Sequence, residues 1–220
     1  MREALLNKAA IKKNIYNQTI FEEFANSISH GLGLILSIIG FVFLIKTNNY
    51  SDPWRVVSYI IYGSSLIILY SLSTIYHSLT NSRLKAVFRR LDHSAIYILI
   101  AGTYTPIILI ALRSTWVIFL LPIVWAMAII GVYMKLKYIH RFEKLSIWFY
   151  IFMGWMSLVT LKPLIITLPT VSLLWIIIGG VSYTSGILFF IWSRLPYQHA
   201  IWHIFVLFGS IAHYVGILYI

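Results

Sequence analysis

The chain has 220 residues, of which 60% are hydrophobic and only 10% charged, and its mean hydropathy is +0.86. A soluble globule of this size leaves roughly 30% of its unfolded-chain surface exposed to water, and so few charged residues cannot cover that surface. The composition therefore excludes a water-soluble domain and predicts a protein of the lipid bilayer. The chain also lacks cysteine, so a bound metal must rest on His, Asp or Glu.

The net charge of +11 at neutral pH would suit a nucleic-acid-binding protein if the basic residues formed one patch. Here they lie in short connections between apolar stretches, where they face lipid headgroups. We therefore expect membrane lipids as partners and no nucleic acid. The sequence leaves the oligomeric state open.

Seven apolar stretches approach the length of about 20 residues that crosses hydrocarbon as a helix. They are 27–45, 54–78, 94–112, 115–134, 145–161, 171–192 and 199–219. We predict an all-α integral membrane protein, a seven-transmembrane helix bundle over residues 27–220. An even number of spans would follow if the short fifth stretch only dipped into the bilayer. Residues 1–26 mix charged and apolar positions and are predicted to form a cytoplasmic amphipathic lead-in segment.

The basic residues are divided unequally between the two sides of the membrane. Thirteen lie on one side, namely Arg2, Lys8, Lys12, Lys13, Arg83, Lys85, Arg89, Arg90, Lys135, Lys137, Arg141, Lys144 and Arg194. Four lie on the other side, namely Lys46, Arg55, Arg113 and Lys162. Because Lys and Arg in short loops stay on the cytoplasmic side during insertion, the N-terminus is predicted to be cytoplasmic and the C-terminus outside.

Most of the ionisable residues in or beside the spans crowd at one end of the predicted bundle. They and their polar neighbours are Glu23, Asn26 and His30 near the first span, Ser73 and His77 ending the second, Asp92 and His93 opening the third, and His199 and His203 opening the seventh. Ionisable groups inside a membrane are costly, and they usually mark functional sites. With the orientation above, the cluster lies near the cytoplasmic leaflet.

His199 and His203 are four residues apart, so their imidazoles share one helix face and can bind one metal ion. His77 is the natural third ligand, since three imidazoles without a thiolate suit Zn²⁺ and leave a fourth position for water. Asp92 fits beside that water, where its carboxylate can orient an imidazole, accept the proton of the water, or do both. The alternative for each histidine is an interfacial or dipole-stabilising role at a helix end.

Glu23, Asn26 and His30 are spaced to share one helix face, and we expect them to form a polar network under the site rather than a metal-binding set. Ser73 lies one helical turn before His77 on the same face, where its hydroxyl can stabilise an oxyanion.

Three further histidines are expected to lie outside the metal site. His93 points about 100° away from Asp92 on a helix and is expected to face a loop or a headgroup. His213 lies about 15 Å deeper than His203, so we expect it to pack or to form hydrogen bonds. His140 lies in a basic loop and is expected to be solvated.

Three motifs stand out along the chain. They are Glu23-x2-Asn26-x3-His30, Ser73-x3-His77 followed by Asp92, and His199-x3-His203. Together they resemble the motifs of bacterial hemolysin III proteins in the progestin and adipoQ receptor family, and the resemblance covers nearly the whole chain. It implies a multi-pass protein of the bacterial plasma membrane, with zinc held near the cytoplasmic face by His77, His199 and His203, and with Asp92 nearby through water. It also implies kinship with a superfamily of membrane hydrolases that includes alkaline ceramidases.

Proteins of this family are described as hormone receptors, lipid-amide hydrolases, regulators of membrane lipids and hemolysins, so the resemblance leaves the activity open. Our leading hypothesis is a zinc-dependent hydrolase of ceramide-like lipid amides or esters, with Asp92 and Ser73 as catalytic residues and a role in membrane lipid homeostasis. The alternative is a non-catalytic lipid sensor or receptor with structural zinc. A third hypothesis, a pore-forming hemolysin, is disfavoured because no span carries a polar stripe through the bilayer.

Overall fold

In a computed structural model the chain is helical, and the structure describes residues 18–47, 51–139, 141 and 143–220. The α-helices are α1 (Ile20–Lys46), α2 (Pro53–Ser78), α3 (Ser82–Pro106), α4 (Leu120–Tyr138), α5 (Glu143–Trp155), α6 (Leu161–Thr167), α7 (Thr170–Ile191) and α8 (Gln198–Leu218). They form seven segments that are long and apolar enough to cross a membrane. The predicted all-α architecture with seven spans is confirmed. Residues 1–17 of the predicted lead-in segment lie outside the described residues.

Two spans begin earlier than the apolar pattern predicts, because capping residues start each helix before the hydrocarbon begins. Thr19 and Glu22 form a reciprocal capping box, so α1 begins at Ile20 rather than at residue 27. Asn81 accepts hydrogen bonds from the backbone N–H groups of Arg83 and Leu84, so α3 begins at Ser82 rather than at residue 94. The basic segment before Asp92, expected to be a loop, is therefore helical.

Three spans include a segment that is not α-helical, and the fourth begins with a 3-10 helix, Trp116–Phe119, before α4. Beyond Pro106 the third span continues as a π-helix, Ile107–Ala111. The fifth span consists of α5, a 3-10 segment at Met156–Thr160, and α6. It therefore extends over Leu145–Thr167, beyond the predicted end at residue 161, and it is long enough to cross.

Helices α1, α2, α3 and α8 position the polar cluster. Helix α2 packs against α1 and α3, and α8 packs against α1 and α7. Tyr70 on α2 donates a hydrogen bond to the hydroxyl of Ser210 on α8 at 2.8 Å, and Tyr214 on α8 donates to the carbonyl of Gly40 on α1 at 2.9 Å. The backbone N–H of Tyr197, just before α8, donates to the Glu22 carboxylate at 3.2 Å. The first two contacts lie farther along the helices, whereas the last joins the start of α1 to the start of α8. His77 at the end of α2 also contacts Glu23 at the start of α1. The start of α1, the end of α2 and the start of α8 therefore lie together at one end of the bundle, which we call the site end.

Candidate metal centre

Three histidines meet at the site end. His77 lies in the last turn of α2, and His199 and His203 lie in the first two turns of α8. One ring nitrogen from each residue lies within 4.8 Å of the corresponding nitrogens of the other two, and all three side chains are buried. The cluster can hold one metal ion.

Hydrogen bonds at Nδ1 determine which nitrogen of two of these rings is available. Nδ1 of His77 lies 2.7 Å from Oε2 of Glu23, and Nδ1 of His203 lies 3.2 Å from the carbonyl oxygen of Asn26. A carboxylate and a carbonyl can only accept, so these partners assign the proton of each neutral ring to Nδ1. Nε2 of each neutral ring then carries a lone pair.

The Nε2 atoms of His77, His199 and His203 are buried and have no hydrogen-bond partner among the residues that the structure describes. A buried polar atom without a partner costs free energy, and unexplained cases call for a missing water or ion. Three converging imidazole nitrogens with no thiolate fit Zn²⁺ with an open fourth position. The cluster therefore fits a metal ion, and its donor set suits the zinc that the sequence predicts.

Glu23 and Asn26, the predicted members of a polar network, contact the rings of His77 and His203 in the histidine cluster. The second carboxylate oxygen of Glu23, Oε1, lies 3.1 Å from Nζ of Lys85, and the side chain of Asn26 donates to Gln18 at 3.0 Å. Lys85 also belongs to this network. The sequence alone did not predict this role, because Lys85 was interpreted only as one of the basic loop residues that set the membrane orientation. The chain has only six acidic residues. A carboxylate in a buried site needs a cationic partner, so the expected location of Glu23 could have indicated a lysine or arginine nearby.

His30 and Ser73 form a separate pair next to the cluster. Nδ1 of His30 lies 2.6 Å from Oγ of Ser73, and the His30 ring stacks on His203 with centroids 3.5 Å apart. Nε2 of His30 is buried and has no partner within the described parts of the chain. The histidine predicted only as a network member therefore contacts both a ligand candidate and the predicted catalytic serine.

Asp92 is buried about three turns into α3 and lies outside the group of three histidines whose atoms can share an ion, when only described residues are considered. Its role as a residue that acts near the metal stays a prediction. The prediction for His93 is wrong, because the structure buries its side chain. α5 covers this position: the hydroxyl of Tyr150 donates to the His93 carbonyl at 2.8 Å, and Nδ1 of His93 lies 3.4 Å from Asp92 Oδ2.

His213 forms a hydrogen bond, as predicted. Its Nε2 donates to the carbonyl of Ile176 on α7 at 3.0 Å. Gly179 makes room for this ring, since a Cβ atom there would lie 2.1 Å from a carbon of the imidazole. His140 lies outside the described residues, so its predicted solvation stays a prediction.

A cavity of about 220 Å³ extends into the bundle from Asp92 and from His30, the ring that stacks on His203, while the three histidines of the cluster are not among the described residues that line it. Asp92 and His30 line it at the site end, and Ile107 and Leu112 line it far along the third span. Twenty residues of helix from Asp92 to Leu112 correspond to roughly 30 Å, comparable with the hydrocarbon thickness of a bilayer. Its walls are mainly apolar side chains, with Asp92 and His30 at the end nearest the histidines.

The family described as "Haemolysin-III related" matches residues 18–214. The chain belongs to this family. This haemolysin III family member is 45% identical to "Hemolysin-3 homolog" of Bacillus subtilis (strain 168), over 91% of its own length and 95% of the relative. It is 43% identical to "Hemolysin-3" of Bacillus cereus, over 92% and 93% of the two chains. It is also 28% identical to the human "Monocyte to macrophage differentiation factor", over 98% of its own length and 91% of the relative. Together with the seven apolar helices, the family membership identifies a multi-pass membrane protein.

Proposed function

We propose that this haemolysin III family protein is a zinc-dependent hydrolase of membrane lipid amides or esters of the ceramide type, with a role in membrane lipid homeostasis. One observation carries the proposal: a single cavity is lined at one end by Asp92 and by His30, which stacks on His203 of the histidine cluster, and it continues as a long apolar channel through the bundle. Such a channel suits a fatty-acyl chain, and its polar end suits the amide or ester to which the chain is attached.

The residues at the polar end have complementary roles in this proposal. His77, His199 and His203 would hold the zinc ion, which would supply Lewis-acid chemistry for the carbonyl and for the attacking water. Asp92 accepts a proton from the attacking water, since a carboxylate near a reacting water is a suitable general base.

Ser73 acts through His30, because His30 lines the cavity whereas Ser73 is buried behind it. The hydrogen bond between them holds the His30 ring in place, so that the pair presents one donor to the carbonyl oxygen as it gains negative charge. The pair therefore contributes oxyanion stabilisation.

A non-catalytic lipid sensor is the second candidate. The three histidines come from two helices that are far apart in the sequence, α2 and α8. One metal ion would therefore crosslink these helices, which favours a structural role for the metal. The names of the two Bacillus relatives suggest lysis of cells. The apolar walls of the cavity support a lipid site better than a water-filled pore.

The orientation and location of the site belong to the same proposal. We place the site end in the cytoplasmic leaflet of the bacterial plasma membrane, because basic residues collect on that side of the bundle: Arg83 and Lys85 in the first turn of α3, Lys137 in the last turn of α4, and Arg194 between α7 and α8. A lipid of the inner leaflet would then reach the metal centre with its acyl chain in the cavity.

The test is fatty-acid release from ceramides, acylethanolamides and phospholipids by the purified, zinc-loaded chain. Asp92→Asn should reduce release by about 10² to 10⁴-fold while zinc content and thermal stability stay unchanged. Asp52→Asn is the matched control, since Asp52 caps α2 at the opposite end and asparagine caps equally well. If Asp92 only orients a histidine, zinc affinity falls by about 10 to 100-fold instead. Folded, zinc-loaded protein that releases no fatty acid from any of these lipids would contradict the hydrolase and favour the sensor.

A further inference from the structure

Lys85 is a buried lysine at the site end that has no role in the proposed reaction. Its side chain is 6% exposed, and its Nζ lies 3.1 Å from Oε1 of Glu23. The same Nζ donates to the backbone carbonyls of Tyr76 at 3.0 Å and Leu79 at 3.1 Å. An ammonium group has three N–H donors, and these three oxygens account for all of them.

These contacts converge on the metal ligand His77 by two routes. Through the side chains, Lys85 holds one oxygen of Glu23, and the other oxygen accepts from Nδ1 of His77 at 2.7 Å. Through the backbone, Lys85 donates to the carbonyls of Tyr76, which precedes His77, and of Leu79, the C-cap residue that follows α2. The carbonyls at a helix C-terminus lack partners within the helix, and a cation there is favourable.

We propose that Lys85 is a positioning residue for the metal centre, which holds Glu23 and the last turn of α2 so that Nε2 of His77 faces His199 and His203. This inference rests on the metal centre of the proposed function and deepens it. A carboxylate that binds the second nitrogen of a metal-binding histidine fixes the orientation of the ring, and loss of such partners lowers metal affinity by about 10 to 100-fold. Glu23 is that carboxylate, and Lys85 is the cation that keeps it in place in a buried site.

The first experiment measures the dissociation constant of Zn²⁺ for the full chain, purified in detergent, by competition with a chelator of known affinity. Lys85→Met should weaken zinc binding by about 10 to 100-fold, as expected for loss of an outer partner of a ligand. Lys85→Arg keeps the charge and several donors and should stay much closer to the original affinity. Arg83→Met is the matched control, because Arg83 is an exposed base two residues earlier on the same helix and should leave affinity unchanged.

A second experiment separates this role from simple capping of α2. In a Glu23→Gln background the route through the carboxylate is already weakened, so adding Lys85→Met should lower zinc affinity much less than it does alone. A residue that only caps the helix would lower the melting temperature of the metal-free protein equally in both backgrounds and leave zinc affinity unchanged, which would overturn the inference. If Lys85→Met fails to fold, Lys85→Gln replaces it in the same cycle.

The zinc measurements distinguish an error in the role of Lys85 from an error in the metal centre itself. Tight zinc binding by the original chain with unchanged affinity in the Lys85 variants would overturn the role of Lys85 and leave the metal centre intact. An original chain that binds no zinc would overturn the metal centre, and with it the inference.

Discussion

The rings of His77 and His203 are oriented by the protein itself. Each is held at Nδ1 by an acceptor, Glu23 Oε2 or the carbonyl of Asn26, and each exposes Nε2 to the cluster. Because these acceptors come from α1 while the ligands come from α2 and α8, the first helix acts as the support of the site. Metal binding then requires little rearrangement of these two side chains, which favours high affinity.

At the residue scale we predict that alanine at His77, His199 or His203 lowers bound zinc from about one ion per chain to a small fraction, since each substitution leaves two imidazoles. Zinc content of the purified variants, measured by elemental analysis, tests this. His213→Ala is the control, because its hydrogen bond goes to Ile176 in another part of the bundle. Equal zinc content in all four variants would rule out this ligand set.

At the element scale, one side chain of the third span, Tyr104, stabilises the break in the fifth span. The hydroxyl of Tyr104 lies 2.9 Å from the carbonyl of Met153 and 3.0 Å from that of Gly154, and it accepts from the backbone N–H of Ser157 at 2.8 Å. Backbone groups in a membrane have no water to bind, so a broken helix needs such partners. The break also lines the cavity, so its conformation shapes the lipid site.

We therefore predict that Tyr104→Phe destabilises the protein by about 1 to 3 kcal/mol, the cost of leaving buried backbone groups without a partner. Thermal unfolding in detergent measures the change. Tyr133→Phe makes the same chemical change at an exposed position on α4 and should have little effect. Similar melting temperatures for the two variants would show that the phenol does not support the break.

At the scale of the whole molecule, the distribution of charge predicts the orientation of the bundle in the membrane. The absence of cysteine allows a direct test, because a single introduced thiol is the only one in the chain. Ser82 and Ser114 are both exposed and lie at opposite ends of the third span, so cysteine replaces serine with little change in shape at either place.

We predict that a membrane-impermeant thiol reagent labels Ser114→Cys on intact cells, whereas it labels Ser82→Cys only after the membrane is permeabilised. The physical reason is retention of Lys- and Arg-rich segments on the cytoplasmic side. Labelling in the opposite order would invert the orientation and place the metal centre in the outer leaflet.

Much of the architecture was predictable because it depends on local composition and spacing. Apolar length predicts seven spans wherever the helices pack, and the four-residue spacing of His199 and His203 places both rings on one face before any partner is known. The end of each helix was harder to predict, since α3 begins at a cap formed by Asn81 in a basic segment that hydropathy alone interprets as a loop.

The tertiary structure decided everything that depends on which helices are neighbours. His77 joins the α8 histidines only because α2 and α8 meet at the site end, and Lys85 reaches Glu23 across a sequence separation that no local pattern encodes. The burial of His93 depends on α5, and the cavity beside Asp92 depends on how several spans pack together. Side-chain periodicity determines which face of a helix a residue occupies, whereas packing between helices determines what that face contacts.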